Sequence, residues 1–260
     1  MHAGHGVSSR LAIVRRFEAA GFRAWPAAST HYDGTWAIRL TAGLDSRRLN
    51  SINPLDPGDD GNLLERMARA KRRFDAYGRP LTFRISPLAG AGVNAFMDQA
   101  GWTRASESLV MRLELKEEVV ADAIAQIPLQ DMGRFITAAI GIGSLQTQSR
   151  PGMSELISSI QPEAGLFVVE DEGRPVSTAI CVHDGQLAGL FEIATETAQR
   201  GRGFGRRAIL SALDWAHSRG ARWAWLQVEA DNEAALGLYR SLGFEELYRY
   251  HYRQPGNGAP

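Results

Sequence analysis

A short stretch near the end of the chain combines a bare backbone with positive charge. Residues 199–207 read QRGRGFGRR, in which three glycines are interleaved with four arginines. A glycine-rich start of a helix leaves backbone N–H groups unpaired at the positive end of the helix dipole, so that several can converge on one anion. Arginine adds charge and bidentate hydrogen bonds to phosphate oxygens. The stretch therefore predicts a phosphate-binding loop, whereas a solvated basic turn is the alternative for the loop taken alone.

Three classes of phosphate-binding loop use glycines in this way, and their spacing separates them. A P-loop requires Lys and then Ser or Thr after its last glycine, but two arginines follow Gly205. A dinucleotide fingerprint requires a third glycine where Arg206 stands, although Glu229 would supply its acidic residue. The third class, Arg/Gln-x-x-Gly-x-Gly/Ala, is matched at every fixed position by residues 200–205.

A second motif lies downstream of this loop. Residues 232–244 read NEAALGLYRSLGF, and a predicted strand, WAWLQVEA, separates the two motifs. Together they resemble the GNAT superfamily of N-acetyltransferases over residues 163–252. IATETAQRGRGFGRR is similar to the fourth strand, pyrophosphate loop and third helix of that family. NEAALGLYRSLGF is similar to its Asn-x-x-Ala-x-x-x-Tyr-x-x-x-Gly-Phe segment.

The resemblance implies an α/β (α+β) fold with a mixed, mostly antiparallel sheet flanked by helices, and acetyl-CoA as the donor. In the family the donor lies between the fourth and fifth strands, with its pyrophosphate on the glycine loop. By that likeness the main chain after the fourth strand binds the pantetheine arm, the loop binds the pyrophosphate, and an asparagine lies beside the donor. The implied donor-binding residues are Ile193, Ala194, Thr195, Arg200, Gly201, Arg202, Gly203, Phe204, Gly205, Arg206 and Asn232.

The same likeness implies direct attack of an amine on the thioester, with two further side chains taking part. Tyr239 stands at the position of the family's usual general acid, where it would protonate or hydrogen-bond the departing thiolate. An amine must lose a proton before it attacks, so a carboxylate near the acceptor is expected. Glu192 is the first candidate because it lies on the strand that leads to the site, and Glu196 or Glu229 could serve instead. The family has no single fixed base.

Periodicity in the last hundred residues predicts the elements that hold these side chains. Residues 166–195 favour a three-stranded antiparallel meander with turns at Gly173 and at Asp184-Gly185. Residues 206–220 favour a helix, 223–230 a strand, 231–243 a helix capped by Asp231 or Asn232, and 244–252 a final strand. Residues 118–163 favour helices interrupted by a loop with Gly141, Gly143 and Pro151.

The first 115 residues show a weaker form of the same order. A helix is predicted at 61–77, a strand at LTFRIS, a helix at 91–100 and a closing strand at SLVMRLEL. FMDQAGW (96–102) aligns with LYRSLGF (238–244), which indicates two tandem copies of one module. The predicted domains are 1–117, a degenerate GNAT-like domain, and 118–260, the catalytic GNAT domain.

The first copy departs from the pattern where donor chemistry would occur. The segment before its helix contains Asp56, Asp59 and Asp60 instead of arginines, and Met97 stands opposite Tyr239. Acidic side chains at a helix start repel a pyrophosphate. We therefore expect this half not to bind acetyl-CoA, and its resemblance to the N-terminal halves of bacterial tandem GNAT proteins implies that it completes the sheet or one wall of the acceptor cleft.

The composition of the chain excludes several classes of ligand and location. The 260 residues contain 29 Lys plus Arg and 29 Asp plus Glu, so no overall field favours nucleic acid or an anionic membrane. The only cysteine, Cys181, excludes an intramolecular disulfide and a thiolate metal site, and no apolar run reaches the length of a signal peptide or membrane span. These features predict a cytoplasmic protein without a metal, and nothing indicates an oligomer.

The alternatives to an acetyltransferase are a non-catalytic acyl-CoA-binding module and a dinucleotide-binding protein. Retention of the glycine loop with a dispensable Tyr239 would favour the first, and stabilisation by NAD the second. The acceptor is expected to be a small amine or a protein N-terminus.

Overall fold

The computed structural model describes the backbone of residues 3–256 and the side chains of residues 10–256. The helices are α1 (Ala3–Ala24), α2 (Leu63–Ala76), α3 (Ala91–Gln99), α4 (Glu117–Val120), α5 (Met132–Gly141), α6 (Arg150–Ser158), α7 (Phe204–His217) and α8 (Glu233–Ser241). The strands are β1 (Ser29–Asp33), β2 (Trp36–Leu40), β3 (Ser51–Pro54), β4 (Phe83–Ile85), β5 (Thr103–Glu114), β6 (Glu163–Asp171), β7 (Arg174–Asp184), β8 (Leu187–Thr195), β9 (Trp223–Glu229) and β10 (Glu245–Gln254). Short 3-10 helices precede α6 and α7.

The strands form one ten-stranded sheet in the order β1-β2-β3-β4-β10-β5-β9-β8-β7-β6. Neighbouring strands are antiparallel except for β3 with β4 and β8 with β9. Helices α7 and α8 contribute to the core on one side of the C-terminal strands, where Leu213 and Leu236 are buried. Helices α1, α5 and α6 contribute Phe17, Phe135 and Leu156 to a second core. The predicted mixed, mostly antiparallel sheet flanked by helices is therefore confirmed.

The two halves of the chain exchange strands in the middle of this sheet. Strand β10, at the C-terminus, lies between β4 and β5 of the N-terminal half. Strand β5 lies between β10 and β9, both of which belong to the C-terminal half. A division of the chain near residue 117 therefore separates two sequence segments but cuts through one continuous sheet.

Local geometry at the ends of α3 and α8 agrees with an internal repeat. The backbone N–H of Trp102 donates to the Met97 carbonyl at 2.9 Å, and that of Phe244 donates to the Tyr239 carbonyl at 3.0 Å. The glycine before each aromatic residue has a positive φ, as helix C-caps with a left-handed residue require. Met97 and Tyr239 thus occupy equivalent places in two copies of the same turn.

Four elements were not predicted: helix α1 and strands β1, β2 and β3. Helix α1 turns its apolar face toward the C-terminal strands, where the Phe17 ring lies 6.2 Å from the Trp225 ring in an edge-on arrangement. Trp25, just after the helix, stacks on Phe191 with ring centroids 4.9 Å apart. The first helix of the chain therefore packs against the half that contains the glycine loop.

The region 118–163 is less helical than expected. Helices α4, α5 and α6 account for part of it, but residues 123–128 have no regular secondary structure and Leu129 forms a bridge to Leu166 of β6. The Leu129 N–H donates to the Leu166 carbonyl at 2.8 Å, so this segment pairs with the sheet edge instead of forming a helix. Among the helices of the described residues, none is long and apolar enough to cross a bilayer.

Candidate active site

The site begins where two parallel strands separate. Strands β8 and β9 pair from Leu187 and Trp223 as far as Leu190 and Leu226, and their pairing ends there. A bulge follows at once in β8, since Phe191 pairs with Ile180 of β7 whereas Ala194 pairs with Thr178. The bulge bends β8 away from β9 and leaves the edge of residues 192–195 without a β9 partner.

Buried hydroxyl groups of β7 hold the bulge in place. Ser177 donates to the Ala194 carbonyl at 2.7 Å, and Thr178 donates to the Glu192 carbonyl at 3.2 Å. Both side chains are fully buried, so these hydrogen bonds do not compete with water. Glu192 has a φ of +47°, a left-handed conformation that is rare for a side chain of this size. Strain of this kind persists only where surrounding contacts fix it, and it is common at functional sites.

A cavity of about 560 Å³ extends from this opening to the glycine loop, and we call it the donor cavity. Arg200 and Arg206 are its only charged lining residues, so the cavity carries positive charge alone. The complete lining consists of Ile193, Ala194, Thr195, Gln199, Arg200, Gly201, Gly203, Phe204, Gly205, Arg206, Asn232, Ala234, Ala235, Leu238 and Tyr239.

The glycine loop has the conformation that an anion-binding helix start requires. Gly201 and Gly203 have φ angles of +75° and +85°, and no atom lies within 4 Å of the position where a Cβ would stand in either. Helix α7 begins directly afterwards, at Phe204. The backbone of its first turn therefore borders open space beside two arginines, which fits a pyrophosphate.

Of the predicted donor-binding residues, only Arg202 has a side chain that does not line this cavity. Its guanidinium forms an ion pair with Asp171 at 3.2 Å and lies 4.9 Å from the Phe204 ring centroid. Asn232 lines the cavity and also caps α8, because its side-chain oxygen accepts a hydrogen bond from the Ala235 N–H at 3.1 Å. Asn232 therefore both caps α8 and forms part of the cavity wall.

A second cavity of about 410 Å³ meets the donor cavity, and we call it the acceptor cavity. The two share Ile193, Ala194, Asn232 and Tyr239 in their linings. The other lining residues of the acceptor cavity are Ser46, Arg47, Arg48, Ser106, Ser108, Ser144, Leu190, Phe191, Glu192, Gln227, Val228, Glu229, Tyr250 and Tyr252. They come from both halves of the chain.

Tyr239 lies at the junction of the two cavities. Helix α8 positions it, and only 6% of the residue is exposed. Burial raises the pKa of Tyr239 to about 12. The phenol therefore keeps its proton at neutral pH and acts as a hydrogen-bond donor toward either cavity.

The three candidate bases do not all lie at the same site in the structure. Glu192 and Glu229 line the acceptor cavity, whereas Glu196 lines a different cavity and faces Arg174 at 3.7 Å. Burial raises the pKa of Glu192, although the field of Arg48 opposes that shift. Glu229 is exposed. Glu192 is thus the carboxylate whose surroundings most favour proton acceptance.

Two tyrosines of β10 form a wall of the acceptor cavity that the sequence analysis missed. Tyr250 and Tyr252 face the same side because side chains alternate along a strand. The Tyr250 hydroxyl donates to the Gln227 side-chain oxygen at 2.9 Å, and the two tyrosine rings meet edge-on at 5.7 Å. The alternation of tyrosines at residues 248, 250 and 252 was the available signal.

A buried ion pair supports this wall from behind. Glu18 of α1 pairs with Arg84 of β4, and both side chains are about 3% exposed. Glu18 also accepts a hydrogen bond from the Tyr248 hydroxyl at 2.6 Å. The Arg84 guanidinium lies 3.6 Å from the centroid of the Tyr250 ring. Elements from both halves thereby fix the position of Tyr250.

The N-terminal half differs from the C-terminal half in the space around the loop before its own helix. Its loop before α2 packs directly on the start of α3, where a side chain at Gly90 would collide with the Pro57 carbonyl and one at Gly92 with the Asp60 carboxylate. Asp59 accepts a hydrogen bond from the Thr35 N–H at 2.7 Å. Within the described part of the chain, no group of three or more His, Cys, Asp or Glu side chains is arranged to hold a metal ion.

Comparison with known proteins relates the C-terminal part of the chain to one family. Residues 142–244 match the model of the Acetyltransferase (GNAT) family. The chain is 24% identical over 253 residues to an uncharacterized N-acetyltransferase of Bacillus subtilis, YobR, with 92% of this chain and 98% of that protein covered. It is 35% identical over 97 residues to the ribosomal protein bS18-alanine N-acetyltransferase of Escherichia coli, which covers 37% of this chain and 66% of that enzyme.

A solved structure extends the likeness in fold to nearly the whole chain. A tandem GNAT protein from the clavulanic acid biosynthesis pathway aligns with a TM-score of 0.63 at 16% identity, covering 93% of this chain and 88% of that one. The glycine loop, the separated strands and the tyrosine-bearing helix lie within or beside the matched segment. Residues 142–244 therefore carry an acetyltransferase (GNAT) domain, and the protein is an acyltransferase.

Proposed function

We propose that the protein transfers the acetyl group of acetyl-CoA to a primary amine by direct attack within a ternary complex. The observation that carries this proposal is that the donor and acceptor cavities meet at Tyr239, with Ala194 and Asn232 in both linings. A thioester in one cavity and an amine in the other would touch at this junction. Their reaction needs no covalent enzyme intermediate.

The glycine loop and its arginines would hold the donor. The backbone N–H groups at the start of α7, with Arg200 and Arg206, bind the pyrophosphate. The unpaired edge of β8 at Ile193, Ala194 and Thr195 offers main-chain groups to the pantetheine arm. A preorganised N–H at this edge would also stabilise the oxyanion formed on attack, a contribution typically worth about 3 to 4 kcal/mol.

Glu192 would accept the proton of the incoming amine. Its raised pKa makes it a stronger base than an ordinary carboxylate, and it lines only the acceptor cavity. It would accept the proton directly or through a water.

Tyr239 would stabilise the departing thiolate mainly by a hydrogen bond. Burial raises its pKa to about 12. Complete proton transfer to a thiolate, whose conjugate thiol has a pKa of about 8.5, is therefore uphill by about 5 kcal/mol. A donated hydrogen bond requires no such transfer.

The N-terminal half would not bind a second donor, because its loop at residues 57–60 fills the corresponding space and is acidic. It would instead contribute Ser46, Arg47 and Arg48 to the acceptor cavity. The division into a degenerate domain, 1–117, and a catalytic domain, 118–260, remains a prediction, as does the cytoplasmic location.

The thermal unfolding midpoint with acetyl-CoA, CoA or NAD, paired with CoA release in the presence of amines, tests the proposal. A ligand at a hundred times its dissociation constant stabilises by roughly 2.7 kcal/mol, which raises the midpoint by several degrees. We expect stabilisation by acetyl-CoA and CoA but not by NAD, together with amine-dependent release of CoA. Stabilisation without release for any amine would indicate an acyl-CoA-binding module, and stabilisation by NAD alone would contradict the donor assignment.

A further inference from the structure

We propose that the acceptor is a small primary amine that also carries an anionic group, a carboxylate or a phosphate, and that Arg47 and Arg48 bind this group. The inference rests on the proposed acetyl transfer and names the class of its substrate. Both arginines belong to the loop between β2 and β3 and line the acceptor cavity, and neither lines the donor cavity.

Neither arginine has a direct ion-pair partner among the described side chains, although Glu192 and Glu229 line the same cavity. Among residues 10–256, none of the ion pairs within 4.0 Å includes Arg47 or Arg48. The Arg47 guanidinium lies 5.3 Å from the Tyr252 ring centroid, and that of Arg48 lies 5.9 Å from the Phe191 ring centroid. Two guanidinium groups on aromatic walls of one cavity are suited to recognition of a carboxylate or phosphate, because each offers bidentate hydrogen bonds.

Buried polar side chains hold the arginine loop in shape. Asn50, which is 4% exposed, donates to the carbonyls of Leu44 at 2.9 Å and Ser46 at 3.0 Å. Its own oxygen accepts a hydrogen bond from the Thr41 N–H at 2.8 Å. Arg39, which is 2% exposed, donates to the Arg48 carbonyl at 3.0 Å. The loop is therefore preorganised, which reduces the entropy that binding would remove.

The charged residues of the acceptor cavity come from different parts of the chain. Tyr239 lines both cavities, and Glu192 directly precedes the shared residues Ile193 and Ala194, so the amine must lie near these residues to be acetylated. Arg47 and Arg48 come from the other half of the chain and supply the only positive charges in the lining. A molecule that carries both an amine and an anion contacts both groups of residues. An amine without an anion would leave the arginines without an anionic partner.

The volume of the cavity favours a small molecule. About 410 Å³ lies toward the lower end of the range of roughly 300 to 1,000 Å³ that is common for small-molecule sites. Such a space accommodates a short chain between amine and anion.

The test compares pairs of acceptors in which one member carries an anionic group and the other does not. Glycine, β-alanine and 4-aminobutyrate are each compared with the corresponding amide, and phosphoethanolamine with ethanolamine. The amine of an amide is less basic and more often neutral, so basicity favours the amide over the acid. We expect a kcat/KM at least tenfold higher for the best anionic acceptor than for its uncharged partner, and the carboxylate and phosphate pairs show which anion is recognised.

Variants connect this preference to the arginines. Arg47→Ala and Arg48→Ala should each raise the KM of the best anionic acceptor about tenfold to a hundredfold, as expected for hydrogen bonds to a charged group, with little change for its uncharged partner. Arg112→Ala is the matched control, because Arg112 also lies on an aromatic ring, 5.0 Å from the Trp223 centroid, but lines neither cavity. The control should behave as the wild type.

Failure of the anionic acceptor and failure of the proposed acetyl transfer would give different results. Equal kcat/KM for charged and uncharged partners, or equal losses for both in the arginine variants, overturns the anionic acceptor and leaves acetyl transfer in place. Acetylation of none of the amines overturns the proposed transfer and the acceptor class together.

Discussion

At the scale of single residues, burial raises the pKa of both side chains assigned to proton chemistry, with different consequences for each. It raises the pKa of Tyr239 to about 12, which keeps the phenol protonated, and it raises the pKa of Glu192, which strengthens the carboxylate as a base. The sequence motif located Tyr239, and the position of Glu192 on β8 followed from the strand prediction. Arg47, Arg48, Tyr250 and Tyr252 were missed because residues from distant segments meet only in the folded sheet.

Replacement of Tyr239 by Phe should lower kcat about tenfold to a hundredfold, since the variant loses one hydrogen bond to a developing charge. The dissociation constant of acetyl-CoA, measured by calorimetry, should not change because the ring still packs against Phe244. Tyr32→Phe is the control, as this tyrosine is 68% exposed and lines neither cavity. A normal kcat in Tyr239→Phe would show that this tyrosine serves only in packing.

Replacement of Glu192 by Gln should lower turnover and stabilise the fold at neutral pH. The pKa of Glu192 is raised in the folded protein, so the folded state holds the proton more tightly than the unfolded state. The ionised carboxylate therefore destabilises the fold above its folded pKa, and this penalty disappears below the ordinary carboxyl pKa. Thermal midpoints of the variant and the wild type should differ near pH 7.5 and converge near pH 4.

The control for this substitution is Glu229→Gln, which alters an exposed carboxylate of the same cavity. Its midpoint should follow that of the wild type at every pH. A midpoint for Glu192→Gln below that of the wild type at neutral pH would contradict the assigned environment of Glu192.

At the scale of elements, the sequence predicted the parts whose signals are local. The meander β6–β8, the glycine loop, α7 and α8 follow from turn residues, periodicity and the two motifs. Strands β1 to β3 were not predicted because they are short. Asp33-Gly34 at the turn between β1 and β2 is nevertheless an established hairpin signal. The separation of β8 from β9 was implied by the family resemblance, and its local cause, the bulge at Glu192, is visible only in the pairing of β8 with β7.

The glycine loop gives a prediction with a matched control. Gly203→Glu places bulk and negative charge beside the start of α7, so acetyl-CoA affinity should fall at least a hundredfold. Gly220→Glu is the control because Gly220 also has a positive φ, +94°, and open space around its Cβ position, but lies beyond the other end of α7. The two variants should lose similar amounts of stability, and calorimetric titration should show donor binding only in the control. Equal affinities of the two variants for acetyl-CoA would show that the glycine loop is not part of the donor site.

At the scale of the whole molecule, the exchange of β5 and β10 joins the two halves into one sheet. The interleaved strands could not be predicted because strand partners depend on contacts between distant segments, whereas propensity and periodicity report only local preference. The contacts of Phe17 with Trp225 and of Trp25 with Phe191 add a second connection across the halves.

This exchange predicts a single cooperative unfolding transition. Tryptophan fluorescence and circular dichroism should change at the same temperature, and acetyl-CoA should shift both signals together. A fragment of residues 118–260 should bind no acetyl-CoA, because without β5 it exposes the edge of β9 and tends to aggregate. Two separate transitions, only one of them shifted by acetyl-CoA, would show that the halves fold independently.

The most direct test of the account is the initial-rate pattern of CoA release, measured while acetyl-CoA and an anionic primary amine are both varied. Direct attack at the junction of the two cavities predicts intersecting lines in double-reciprocal plots, a release rate that depends on the amine, and loss of both binding and rate in Gly203→Glu. Parallel lines would indicate a covalent acetyl-enzyme, and release that is independent of every amine would contradict acetyl transfer at Tyr239.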